Sequence, residues 1–146
     1  MQITFEKIRY QELNSRQQEA YNFQKVSGVL ADFGFLTIRL SNDWNGADFI
    51  LQDRDGKTFH KVQLKSRLTF DKKYEDKDLY ICFRDGVDGP WYMYNHADLL
   101  KKVLDHGQIA GTKTWDEEKP YHFPVLSEDM KSLLRPYLIS EADSKL

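Results

Sequence analysis

A single cysteine, Cys82, is all the thiol this chain carries, which excludes an internal disulfide and a cysteine-built zinc site. It lies in the apolar run Leu79-Tyr-Ile-Cys-Phe83, where it reads as a core side chain rather than a nucleophile. Proline is sparse, and no repeat or Pro-, Gly- or Ser-rich linker interrupts the sequence, so one domain over residues 1–146 is expected. Long apolar runs are missing as well. The opening Met1-Gln-Ile-Thr-Phe-Glu-Lys-Ile8 alternates charged and apolar residues and offers neither a signal-peptide core nor a membrane span, so a cytoplasmic protein with no membrane partner is expected. There is no Gly-rich phosphate loop and no Gly-x-Ser-x-Gly turn, which leaves ATP hydrolysis and serine esterase chemistry without support. His60, His96, His106 and His122 lack zinc-motif spacing.

Charge of one sign is also lacking overall, since the net of -2 does not suit a generic nucleic-acid coat protein. Its distribution is uneven. Between Lys57 and Lys77 seven cations face three anions, whereas Thr114 to Ser144 is acidic. A solvated surface and a phosphate-facing patch are both compatible with the basic stretch.

Asn14 or Ser15, with Gln17 or Gln18, offers a capping box for a helix whose apolar positions are Ala20, Phe23, Val26, Leu30 and Phe33 and whose natural stop is Gly34. Strands are predicted at Phe35 to Leu40, Ala47 to Gln52, Lys57 to Lys65, Asp78 to Phe83 and Trp91 to Tyr94. The Arg67 to Lys77 stretch reads as a charged link. A helix from Asn95 or His96 to Asp105 turns Leu99, Leu100, Val103 and Leu104 inward and stops at Gly107; another starts at Ser127, carries Met130, Leu133 and Leu134, and breaks at Pro136. The order predicts a mixed α/β (α+β) fold, with a central mixed sheet of about five strands, an N-terminal helix and C-terminal helices.

Asp55-Gly56 marks a hairpin between the second and third strands. A two-residue turn makes paired residue numbers sum to 111 and sets Asp48 opposite Gln63. A four-residue loop from Asp53 to Gly56 makes the sum 109 and sets Asp48 opposite Lys61. Either way Asp48, Gln63 and Lys65 share one face, and Ala47, Phe49, Leu51, Val62 and Leu64 supply an apolar reverse. A carboxylate, an amide oxygen and an ammonium on one rigid hairpin suit phosphodiester hydrolysis assisted by Mg²⁺ or Mn²⁺. Asp48 would anchor the metal, the Gln63 side-chain oxygen and the Leu64 carbonyl would add oxygen ligands, and Lys65 would orient or deprotonate water.

These residues resemble the PD-(D/E)xK, or restriction-endonuclease-like, nuclease superfamily. Gly46-Ala-Asp-Phe49 is similar to its first acid, and Gln63-Leu-Lys65 to its second half-motif in the Gln-x-Lys form of Mrr-type enzymes. The resemblance covers about residues 14 to 95. It implies a core of one helix, a three-stranded antiparallel meander, another helix and a further strand. It also implies an extra acidic residue on the first helix, which Glu19 could supply; a solvent-facing glutamate is the plainer reading. Glutamine at 63 removes one negative charge from the metal site.

Lys61, Arg67, Lys72 and Lys73 are candidate phosphate contacts by closeness in sequence. Trp44 and Asn45, in the loop before Asp48, could reach a nucleotide, while core packing of the tryptophan is the alternative. Three readings follow: a metal-dependent DNA endonuclease of defence or repair type, for which a symmetric homodimer is the expected route to double-strand cutting; a catalytically inactive nuclease-fold domain binding nucleic acid or a protein partner; and an unrelated α/β binding domain.

Overall fold

The computed structural model describes residues 1–44, 46–107 and 120–144; the side chains of Asp43 and Trp44 lie outside that description. The first α-helix, α1 (Ser15–Ala31), starts as its sequence requires. The Asn14 side chain accepts from Gln17 N–H at 2.9 Å and the Gln17 side chain accepts from Asn14 N–H at 2.9 Å, satisfying two of the end donors a helix leaves open. It stops in a Schellman turn: Gly34 (φ 81°) donates to the Ala31 carbonyl and Phe35 to that of Leu30. Phe33 falls beyond the helix, exposed and stacked on Phe35, and does not join the core as expected.

Among the described residues eight strands follow in chain order: β1 (Leu36–Trp44), β2 (Ala47–Gln52), β3 (Phe59–Lys65), β4 (Leu68–Phe70), β5 (Leu79–Arg84), β6 (Trp91–Asn95), β7 (Tyr121–Phe123) and β8 (Leu138–Ser140). The helices α2 (His96–Asp105) and α3 (Glu128–Leu134) accompany them. Asn95 caps α2, accepting from Asp98 N–H, and Ser127 caps α3, accepting from Met130 N–H, as the sequence predicts.

Among the described residues six strands form the central sheet in the order β1-β2-β3-β5-β6-β8, while β4 and β7 pair separately. All neighbours in the central sheet are antiparallel except β3 and β5. The mixed α/β fold with a central mixed sheet flanked by helices therefore holds, with one more strand than the five expected. Two further corrections concern links. The segment after Lys65 contains β4, whose three residues are all buried, and a 3-10 turn at Lys72–Tyr74, because Leu68 and Phe70 join the core between flanking charges. β1 runs on to Trp44, which pairs with Ala47, so Ser41 to Trp44 of the segment expected to be a loop is strand.

Each face of the sheet carries its own core. Val26 and Leu30 of α1 pack with Phe49, Leu51, Val62, Cys82 and Trp91 on one side. On the other, Leu99, Leu100 and Val103 of α2 and Met130 and Leu134 of α3 meet Leu79, Ile81, Phe83 and Tyr94, together with β4. Cys82 is fully buried, and burial pushes its thiol pKa far up, which suits a core side chain. No helix among the described residues is long and apolar enough to cross a membrane.

His96, the first residue of α2, is wholly buried between the rings of Phe70 and Tyr74. Its Nε2 accepts from Asp71 N–H at 3.0 Å, so a neutral ring carries its proton on Nδ1, which is buried without a partner. Burial pushes the imidazole pKa from 6.5 down to about 4, against a smaller opposing pull from the Asp71 carboxylate. Between those values the unfolded chain takes up a proton that the folded chain refuses. Stability from this source is full above about pH 6.5 and falls towards about pH 4, by up to about 3 kcal/mol. Urea unfolding at pH 7 and pH 4.5 is expected to show that loss in the wild type and a smaller one in His96→Gln.

Candidate active site

The site is built on the β2–β3 hairpin. Its bend is fastened by Asp55, whose carboxylate accepts from the Thr58 hydroxyl at 2.6 Å and from the Lys57 and Thr58 N–H groups at 2.8 Å. Those bonds, the Thr58 hydroxyl foremost, lower the Asp55 pKa. Gly56 (φ 70°) donates back to the Asp53 carbonyl, and Asp53 N–H donates to the Thr58 carbonyl at 2.9 Å. The connection is thus wider than a two-residue Asp-Gly turn, yet the pairs Phe49↔Val62, Ile50↔Lys61, Leu51↔His60 and Gln52↔Phe59 all sum to 111. The register is the one a two-residue turn predicts, because lengthening a loop symmetrically leaves the pairing unchanged.

The pairing ends at Phe49↔Val62: Ala47 joins the core under α2 and α3 while Phe49 joins that under α1, so the regular alternation expected to set Ala47 with Phe49 and Asp48 opposite Gln63 stops before Asp48, and Gln63 lies beside Ile81 of β5. Here the ladder changes character. Leu64 N–H donates to the Asp48 carboxylate at 2.8 Å, so a side chain does what a main-chain carbonyl does elsewhere in the sheet. The Oε1 atom of Gln63, the residue before Leu64 on β3, is buried and accepts no hydrogen bond among the described residues. An amide oxygen held in that state costs about 1–3 kcal/mol.

The structure brings Glu19 to the same place. Glu19, with Arg16 of α1 and Arg39 of β1, lines a cavity of about 270 Å³ that also contains Asp48. On its other side Glu19 lines a second cavity of about 190 Å³ together with Leu64, Lys65 and Ser66. Glu19, Asp48, Leu64 and Lys65 therefore border two adjoining hollows with Glu19 common to both. The oxygen donors of Asp48, Leu64 and Glu19 suit a hard divalent cation, whereas Gln63 lines neither hollow. Among the described residues no group of three or more His, Cys, Asp or Glu is placed to hold a metal, so any such site uses at most two carboxylates and relies on the amide and carbonyl oxygens.

A third cavity, about 270 Å³, shares Tyr10, Gln18, Asn22, Lys65 and Ser66 with the second and extends towards Arg84 and Trp91. Its walls are tied down. Gln18 Nε2 donates to the Tyr10 carbonyl at 3.2 Å, and Asn22 Nδ2 to the Tyr10 hydroxyl at 2.9 Å. Arg84 lies over the Trp91 ring, donates through Nε to the Gly89 carbonyl at 2.8 Å and pairs with the Asp143 carboxylate at 2.8 Å. Asp143 also donates its N–H to the Asp88 carbonyl, clasping the β5–β6 turn, in which Asp88 has φ 63°.

The predicted phosphate contacts Lys61, Arg67, Lys72 and Lys73 line none of these three cavities. Lys61 faces the hairpin's far end, paired with Ile50. Arg67 is exposed before β4, and Lys72 lies in the 3-10 turn that follows β4. Lys73 is held by Asp71 at 3.6 Å and lies over the Tyr74 ring. Nearness in sequence misled because β4 and the 3-10 turn carry the chain away. Asn45 and the Trp44 side chain lie outside the described residues. Cations at the site that the sequence reading missed are Arg16 and Arg39. Arg16 was discoverable, three residues before Glu19 on a capped helix; Arg39 reaches the site only through the β1–β2 pairing.

No family model, curated protein or solved structure matches the chain.

Two substitutions test the local energetics. Gln63→Leu removes the buried acceptor and is expected to stabilise the metal-free protein by about 1–2 kcal/mol in urea unfolding. Asp48→Ala, which leaves Leu64 N–H without its acceptor, is expected to destabilise by a similar amount, whereas Asp48→Asn keeps an oxygen there and costs less.

Proposed function

We propose that the chain is a metal-dependent phosphodiesterase acting on nucleic acid, a DNA endonuclease of the PD-(D/E)xK, restriction-endonuclease-like kind in its Gln-x-Lys form. The observation that carries this reading is at the hairpin: the Asp48 carboxylate accepts from Leu64 N–H, and the preceding residue on β3, Gln63, has a buried oxygen with no partner among the described residues. Glu19 on the shared cavity wall adds support.

Asp48 and Gln63 would hold the cation, with the Leu64 carbonyl and Glu19 as further oxygen ligands. When bound, Mg²⁺ or Mn²⁺ neutralises phosphate charge and lowers the pKa of water. The rest falls to the chain. Leu64 N–H fixes the Asp48 carboxylate, so little side-chain freedom is lost when a ligand arrives. The Lys65 ammonium, two residues from Gln63, positions the attacking water and offsets the charge that builds on the phosphoryl oxygens as the P–O ester bond breaks. Arg16 and Arg39 flank the cavity containing Asp48, where they attract and orient an anionic backbone.

One departure from the superfamily pattern bears on this reading. The β3–β5 crossover carries β4 and a 3-10 turn in place of the expected helix. With glutamine at 63, and no group of three acidic, histidine or cysteine ligands among the described residues, it also favours a second reading, a nuclease-fold domain that binds nucleic acid or a protein without cutting.

Plasmid nicking in Mg²⁺ or Mn²⁺ separates the two. The wild type is expected to nick only with divalent metal, and Asp48→Asn and Lys65→Ala to lose about a hundredfold or more in rate. Equal rates in all three proteins would remove the site. A wild type that binds DNA but stays inert in both metals would establish the non-cutting reading.

A further inference from the structure

The aromatic hollow next to the candidate site has walls that the cleavage reading leaves unused. Tyr10 and Tyr21 meet edge to face at 5.3 Å between ring centroids on one side, and Trp91 lies on the other beneath Arg84. Between them are the side-chain amides of Gln18 and Asn22, each with a donor and an acceptor end. Among the described residues no aspartate or glutamate lines the cavity.

Its contents are constrained by charge. The Arg84 guanidinium is already matched by the Asp143 carboxylate at 2.8 Å and by the Gly89 carbonyl, so it offers a flat face rather than an open anion site. That argues against a phosphate. A purely apolar guest would make no use of the side-chain oxygens of Gln18 and Asn22, whose amide nitrogens already donate to Tyr10. A planar heterocycle with hydrogen-bonding edges satisfies both, stacking on the aromatic walls and using the amides at its rim. At about 270 Å³ the hollow lies just under the size of pockets that take drug-sized ligands, of about 300 Å³ or more.

Position supplies the rest. The hollow shares Tyr10, Gln18, Asn22, Lys65 and Ser66 with the cavity that Glu19 and Leu64 border, so anything seated here continues directly into the candidate site. We propose that the cavity between α1 and the β5–β6 turn receives a nucleobase turned out of its stack, belonging to a strand whose backbone runs through the adjoining Glu19–Lys65 cavity. The placement of the backbone rests on the nuclease reading; the base pocket itself does not need metal or catalysis. The substrate class is then nucleic acid with an unpaired or extruded base: single strands, gaps, mismatches or loops.

A short single-stranded DNA carrying one 2-aminopurine tests this on the full chain in EDTA at low salt, where no cutting occurs. The fluorescence of 2-aminopurine is expected to change on binding, as the base leaves its neighbours for the pocket. Tyr21→Ala and Gln18→Ala are expected to weaken binding about tenfold, while Tyr21→Phe, which keeps the ring, holds near wild-type affinity. Both alanine variants lie on α1, where alanine favours the helix, and circular dichroism verifies the fold. The same strand annealed to its complement is expected to bind more weakly, because extrusion then requires unpairing. The proposal is overturned by unaltered fluorescence in the bound strand, by alanine variants that bind like the wild type, by no binding at all, or by 2-aminopurine mononucleotide binding as tightly as the strand, which would make this a free-nucleotide site. Metal-dependent nicking with no base effect would remove the pocket and leave the nuclease reading; base capture without nicking would do the reverse.

Discussion

The antiparallel register of one hairpin governs most of what this chain can do. With paired residues summing to 111, Phe49, Leu51 and Val62 enter the core under α1, Gln63 and Lys65 run beside Ile81 and Phe83 of β5, and Asp48, past the end of the regular ladder, reaches a cavity that Arg16 and Glu19 of α1 also line. A slip of one residue would take Phe49, Leu51 and Val62 out of the core under α1, so hydrophobic burial enforces the pairing on which the site is built. Asp55 holds this register from the bend end, with three hydrogen bonds to a single carboxylate. At the other end the ladder yields to the Asp48 side chain, and a sheet becomes a site within two residues.

Alpha-helix α1 has a corresponding double role. Val26 and Leu30 press its C-terminal half against the sheet, while its N-terminal half presents Arg16, Gln18, Glu19 and Asn22 to the cavities. The reciprocal Asn14–Gln17 cap therefore matters beyond its own turn, because it fixes where the functional half begins. Ser27 and Thr37, joined through their hydroxyls at 2.8 Å, align the helix with β1.

Local chemistry was readable in advance wherever it is written in short spacings. The caps Asn14, Asn95 and Ser127, the stops at Gly34 and Gly107, and the Asp-Gly bend each depend on residues within six positions of one another. The contact of Asp48 with Leu64 belongs to this class, since hairpin pairing converts a sequence interval directly into a distance. What escaped reading depends on long closures. The β4–β7 pair joins residues more than fifty positions apart, and β8 reaches the sheet edge through Leu138 and Ser140. The aromatic hollow combines Tyr10, Tyr21 and Trp91 from three separate parts of the chain. Arg67, Lys72 and Lys73 lie outside the three cavities for the same reason, because β4 and the 3-10 turn carry the chain on after Lys65.

The clasp between Asp143 and the β5–β6 turn has an implication for how this surface can change over evolution. Asp88 is held with φ 63° not by its neighbours alone but by a residue fifty-five positions downstream, and the same downstream residue neutralises Arg84. The turn and the terminal segment thus form one inheritable unit. Grafting either alone into another scaffold would transplant the letters without the shape, whereas a paired exchange could remodel that wall and leave the hairpin chemistry untouched.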